Sequence, residues 1–211
     1  MTTIVIQCRV AVKGSTGHRQ RQAEATKREV ARVARALFAE HGYVATTIST
    51  ISAEADIPVQ TIYSAFGSKA KILDKITELC MSETRTTSRA AAYLDEPDPA
   101  RQLRMLAELN RRQMQAGSDV VAIYQEAAAS DPQMAETLRN VLAAREREIR
   151  KLTDALAPRL RSDLTSDAAL DLTLALTLPE LFHLLVVERG WSHLQYETWL
   201  GNTLVGQLLR D

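Results

Sequence analysis

Apolar positions recur at three- and four-residue intervals from Val30 to Leu208, a spacing that predicts helices rather than strands. The first helix places Val30, Val33, Ala34, Leu37 and Phe38 on one stripe and Arg28, Arg32 and Arg35 on the opposite face. Two shorter helices follow within residues 47–73, separated by a break of three to four residues, which is the sequence form of a helix-turn-helix. The first of them opens at Thr47, whose hydroxyl can cap the unpaired N–H groups, and buries Ile48, Ile51, Ser52 and Ala55. Asp56 ends it, since aspartate is among the few residues that tolerate a left-handed backbone. Pro58 stands where a first helical turn accepts proline, and the second helix turns Ile62 and Phe66 inward and Gln60 and Ser64 outward. With Thr61 and Tyr63 beside them, the outer surface is polar and free of carboxylates, so it would not repel a phosphate backbone. A solvated helix pair inside a larger helical protein carries the same pattern, and the pattern alone leaves both readings open.

Beyond the motif the periodicity stays helical. Residues 69 to about 92 read as one connecting helix, residues 94–99 as an acidic break, and Asp98-Pro99 as a cap followed by a first-turn proline. Val120, Ile123, Tyr124, Ala127 and Ala128 trace one apolar face; Asp131-Pro132 then starts a long helix with Met134, Leu138, Val141, Leu142, Ile149, Leu152 and Leu156 inward. Leucines at 170, 172, 174, 176 and 178 alternate as in a strand, but residue types and the lack of flanking turn signals assign a helix. It must be buried on several faces, and Pro179 kinks it while the apolar run continues to Val187. Gly190 closes that run. Ser192 and Gln195 form a capping box for a last helix with Tyr196, Trp199, Leu200, Leu204 and Leu208 on one side. No fixed-period repeat is present.

Charge changes the picture more than composition does. The 211 residues carry no net charge, yet residues 1–72 hold ten Lys/Arg against five Asp/Glu and the remainder sixteen against twenty-one, so one end suits a polyanion. An apolar share of 45% with only 5% aromatics suits a helical core of alanine and leucine. Cys8 and Cys80 stand in no metal or redox spacing, and the early apolar stretch from Ile4 to Val12 is broken by Gln7 and Arg9, so neither a disulfide framework, a signal peptide nor a membrane span is expected. A cytoplasmic location follows. Residues 1–20, with alternating Ile4, Ile6, Cys8, Val10 and Val12 and a joint at Gly14 to Gly17, read as a flexible tail. A basic arm running from Lys13 through Arg19 and Arg21 to the minor groove is the functional alternative.

Leu37-Phe38, Gly42-Tyr43, Thr46-Thr47-Ile48, Ile51, Thr61-Ile62-Tyr63, Phe66 and Ser68-Lys69 through Leu73 resemble the DNA-binding domain of TetR-type (TetR/AcrR-like) transcriptional regulators over about forty positions. Ser52 stands where that family commonly has alanine and Asp56 where it commonly has glycine; the serine hydroxyl is expected to bond a carbonyl one turn earlier. The resemblance implies an all-α protein: a three-helix DNA-binding domain at 21–68, then a larger helical effector-binding and dimerisation domain at 69–211. It implies a homodimer through the last two helices, a double-stranded DNA operator and a small-molecule effector, most often in a repressor. Gln60 and Ser64, with Ser49 and Val59 at the edges, would then face base edges, while Thr47, Thr61, Tyr63 and Lys69 hold phosphates. A helical ligand-binding or adaptor protein without DNA affinity is the competing reading.

Catalysis has little support. Glu180-x-x-His183 has the spacing of a carboxylate-bridged metal pair, but His18, His41 and His193 lack the second glutamate such a site requires, and no phosphate loop, zinc cluster or nucleophile elbow occurs, so no cofactor is expected. Polar residues interrupting apolar stripes suggest an effector pocket instead. Asn110 lies amid Leu103, Leu106, Ala107 and Met114 with Gln113 nearby, and Arg145 interrupts the stripe from Leu138 to Ile149. Together with Tyr124 and His183 they are candidate ligand contacts, each with an internal hydrogen bond as its structural alternative.

Overall fold

The structure, a computed structural model, describes residues 14–210. Helices α1 (Gly14–His41), α2 (Ile48–Ala55) and α3 (Val59–Phe66) form the amino-terminal unit. They are followed by α4 (Lys69–Glu83), α5 (Thr86–Leu94), α6 (Pro99–Ser130) and α7 (Pro132–Leu156). A 3-10 turn at Ala157–Arg159 leads to α8 (Ser166–Leu176), a short α9 (Pro179–Phe182), a π-helical turn at His183–Glu188 and α10 (His193–Leu208). No strand occurs among the described residues; Leu160 and Leu209 form one isolated bridge.

Side-chain caps fix where these helices begin. Thr47 accepts from the N–H of Thr50, Ser68 from Lys71, Asp98 from Ala100, Asp131 from Gln133 and Thr165 from Ala168. Ser192 and Gln195 complete the expected reciprocal box. Asp56 adopts the left-handed conformation expected of it, φ 52° and ψ 40°. Pro58 sits one step earlier than expected: it is the cap of α3, and its carbonyl accepts from Thr61 and Ile62.

Two apolar cores share α6. The first gathers Val30, Val33, Ala34, Leu37 and Phe38 of α1, Ile51, Ile62, Ile72, Leu73 and Ile76, and closes with Val120, Ile123, Tyr124 and Ala127 of α6 and Met134 of α7. The second holds Leu103, Leu106, Ala107 and Leu109 of α6 against Leu152, Leu156, Phe182, Tyr196, Leu200, Leu204 and Leu208. Between the two, Gly117 leaves helical geometry at φ −155° and ψ 27°, which kinks α6.

Several expectations are corrected. Residues 14–20, read as part of a tail, belong to α1, while the strand-like stretch before them lies outside the described residues. The single helix expected over 69 to about 92 is broken at Thr84 and Arg85, whose φ is 51°. The kink expected at Pro179 is a full break, with α8 and the following segment bent by 44°. Val141 and Leu142 are about half exposed, because α7 buries Met134, Ile149, Leu152 and Leu156 instead. Leu200, Leu204 and Leu208 of α10 are fully buried within their own chain, where α10 packs on α6.

Candidate functional site

Ile62, fully buried, pins α3 to the core and thereby fixes which residues face out. Val59, Gln60, Thr61, Tyr63 and Ser64 are all exposed, as are Thr47 and Ser49 of the preceding helix and its cap. Seven of the eight expected DNA contacts therefore share the motif's open side. Two hydroxyls are partly engaged: Thr47 Oγ1 lies 2.8 Å from Thr50 Oγ1, and Ser64 donates to the Gln60 carbonyl at 2.8 Å. Ser52 bonds forward, to the Ile57 carbonyl at 2.6 Å, and not to the previous turn; its hydroxyl braces the helix-turn-helix corner.

Lys69 is the exception. Its ammonium donates to the carbonyls of Tyr43 at 2.6 Å and Thr46 at 2.9 Å, and lies 4.2 Å from the centre of the Tyr43 ring. Its donors are directed inward, away from the phosphate role expected of it, and burial lowers its affinity for a proton. The same turn is held from the other side by Glu126 of α6, whose carboxylate accepts from the N–H groups of Tyr43 at 2.9 Å and Val44 at 3.2 Å. Burial pushes the Tyr43 phenol up to about 12.

Arg35, expected on a basic outer face, is turned inward as well. It forks onto Asp119 at 2.6 and 2.7 Å and donates to the Ala116 carbonyl at 2.6 Å, next to the Gly117 kink. The hydrogen bond to Asp119 raises its hold on its proton. A carbonyl adjoining a helix kink is spared by its own helix and open to an outside donor. Helical periodicity could not reveal this, because the partners lie more than eighty residues away in sequence.

The candidate effector residues divide. Asn110 and Arg145 meet at one residue, Thr177: Asn110 Nδ2 donates to its carbonyl at 3.1 Å, and Arg145 Nη2 to the same carbonyl at 2.9 Å and to its hydroxyl at 2.6 Å. Asn110 Oδ1 accepts from the Tyr196 hydroxyl at 2.8 Å. Tyr196 and Thr177 are members that the sequence did not single out, since each looked like an ordinary core position. Gln113 is half-buried one turn beyond Asn110. Tyr124 lies apart, in the first core, its hydroxyl 3.3 Å from both Asp74 and Thr77. His183, expected in the pocket, is exposed and lies 3.7 Å from Glu188, because the π-helical turn rotates it outward. No cluster of His, Cys, Asp and Glu able to hold a metal occurs among the described residues.

A helix-turn-helix braced against a larger helical unit is an arrangement suited to binding DNA. Residues 31–76, a stretch that takes in the helix-turn-helix, match the family described as bacterial regulatory proteins, tetR family. Solved structures share the chain's fold along nearly the whole length. A putative transcriptional regulator from Saccharomonospora viridis, in complex with choline, is 18% identical, with 89% of this chain and 100% of that one covered and a TM-score of 0.69. NalD of Pseudomonas aeruginosa, the secondary repressor of the MexAB-OprM multidrug efflux pump, is 19% identical over 90% and 99%, with a TM-score of 0.69. The ketosteroid regulator KstR2 of Mycobacterium tuberculosis is 20% identical over 88% and 95%, with a TM-score of 0.64. No curated protein matches the chain.

Proposed function

We propose that this chain is a TetR-type transcriptional regulator, a cytoplasmic, homodimeric repressor released from its operator by a small molecule. The reading rests on the outer face of α3, where exposed Gln60 and Ser64 are flanked by Val59, Thr61 and Tyr63 without a carboxylate. In each copy Gln60 and Ser64, with Ser49 and Val59 at the edges, read bases, and Thr47, Thr61 and Tyr63 hold phosphates. The repressor sense is supported by analogy with NalD, and a small-molecule effector by the regulator bound to choline.

The linkage to a ligand runs through α6. Its Asp119 and Glu126 grip α1 and the turn after it, while Asn110 of the same helix sits in the second core. A ligand preferring another setting of α6 shifts the dimer away from the spacing the operator requires. Gel-shift titration of the purified dimer with flanking promoter DNA at increasing salt tests the reading. A sequence-selective complex that weakens with salt is expected; binding with no preference over random duplex would overturn it.

A further inference from the structure

Arg145 is unlike the other half-buried arginines. Arg35 has Asp119, Arg89 has Glu108 at 2.9 Å and Arg111 has Glu197 at 2.7 Å, whereas among the described residues no carboxylate pairs with Arg145. Glu180 acts on it only at a distance; that carboxylate is exposed and accepts from Gln125 at 3.3 Å. A guanidinium withdrawn from water without a counter-ion is costly, and here only Thr177 offsets that cost, with its carbonyl and hydroxyl. Both bonds use Nη2, and among the described residues no hydrogen bond engages Nε or Nη1. Burial weakens its grip on its proton, the opposite of what Asp119 does for Arg35.

Thr177 has its own place in the fold. It caps the C-terminus of α8 at the point where the chain breaks and bends by 44° toward the π-helical turn. Four elements converge on it: Asn110 from α6, Arg145 from α7, the end of α8 itself, and Tyr196 of α10 through Asn110. Neutral dipoles at a hinge are standing in for an anion, beside a core built from leucine, alanine, phenylalanine and tyrosine.

We propose that the effector is an organic anion, a carboxylate on an apolar body, whose two oxygens take the planar fork of Arg145 in place of Thr177. A bidentate pair of opposite charges is stronger than the two bonds to neutral acceptors that it replaces, and the apolar body would lie against the second core. Losing Arg145 leaves Thr177 held by Asn110 and by its own bond to the Thr173 carbonyl, so α7 lets go of the α8 to α9 hinge, which is how occupancy reaches the rest of the molecule. This rests on the effector-responsive reading above.

The test compares octanoate, dodecanoate and phenylacetate with their primary amides, by thermal shift of the full chain and by release of operator DNA. At least one acid should raise the melting temperature and release DNA at concentrations about tenfold below its amide, a gap of the size a charge-assisted pair supplies. Arg145→Gln should erase the gap, and Arg145→Lys should keep part of it. Should Arg145→Gln fail to fold, Thr177→Val serves: with the hydroxyl removed from Nη2, half-maximal shift should need less acid. No acid outperforming its amide, an undiminished gap in Arg145→Gln, or no gain in Thr177→Val overturns the proposal. Operator binding without an acid effect leaves the repressor reading standing and removes the anion site; an acid effect through Arg145 without operator binding does the reverse.

Discussion

Gln60 and Lys69 both look like DNA contacts in the sequence, and the structure gives them opposite employment. Gln60 keeps its amide on an exposed face, whereas the Lys69 ammonium is bonded to carbonyls of residues 43–46. Gln60→Ala is therefore expected to weaken the preferred site more than random DNA, by about 1 to 3 kcal/mol for a bidentate base contact. Lys69→Met is expected to lower stability by about 1.5 to 3 kcal/mol for lost charge-assisted bonds, read as a lower melting temperature, and to leave the slope of log affinity against log salt unchanged. Competition gel shifts and thermal denaturation separate the two, and a shallower salt slope in Lys69→Met would return that residue to the phosphates. Which face of α3 looks outward was legible because helical spacing is local. Where a long cationic side chain ends is not, because its partners are brought to it by the fold.

At the scale of elements, helix starts were legible from single residues, since a cap acts within three positions of itself: Thr47, Asp98, Asp131 and Ser192 all act as read. Breaks inside apolar runs were not. Thr84 and Thr177 interrupt helices whose inward faces continue on either side, so periodicity alone saw one helix in each place. The joints between elements carry their own tests. Gly42 has φ +85°, and a Cβ built there would stand 2.7 Å from Glu126 Oε1. Gly42→Ala should strain the turn and displace the carboxylate that holds it, costing about 1 to 3 kcal/mol in denaturant titration. A stability equal to wild type would mean that the turn relaxes freely and that Glu126 does not grip it.

The joint between α1 and α4 is expected to respond to pH. Lys75 Nζ lies 2.7 Å from Glu24 and 2.9 Å from Glu78, and the hydrogen bond from Lys75 lowers the Glu24 pKa. A carboxylate whose folded value lies below its unfolded one stabilises the fold above the ordinary carboxylate range, and that contribution disappears as pH falls through the depressed value. Melting temperature should thus decline on acidification. Glu24→Gln should show a shallower decline over the same range, and a parallel one would remove this tie from the acid response.

Among the described residues the most exposed apolar side chains of the carboxy-terminal half are not the ones the leucine pattern suggested. Leu200, Leu204 and Leu208 are spent inside the chain on α6, whereas Val187 and Leu194 are 61% and 68% exposed. Leu178 and Leu184 are exposed as well, and Trp191, Thr198 and Trp199 line an open groove with Leu194. We propose these exposed apolar side chains around the ends of α8 to α10 as the contact with a second copy, where a two-fold axis would set each patch against its mate. Val187→Glu should then give a folded monomer, with an unchanged circular dichroism spectrum and half the sedimenting mass, because its charge stays in water when the copies separate. Leu204→Glu should instead unfold the chain, because its carboxylate would be buried against α6 with no partner. An intact dimer in Val187→Glu would move the interface away from this face. A folded monomer in Leu204→Glu would mean that α10 holds its partner copy more tightly than its own core.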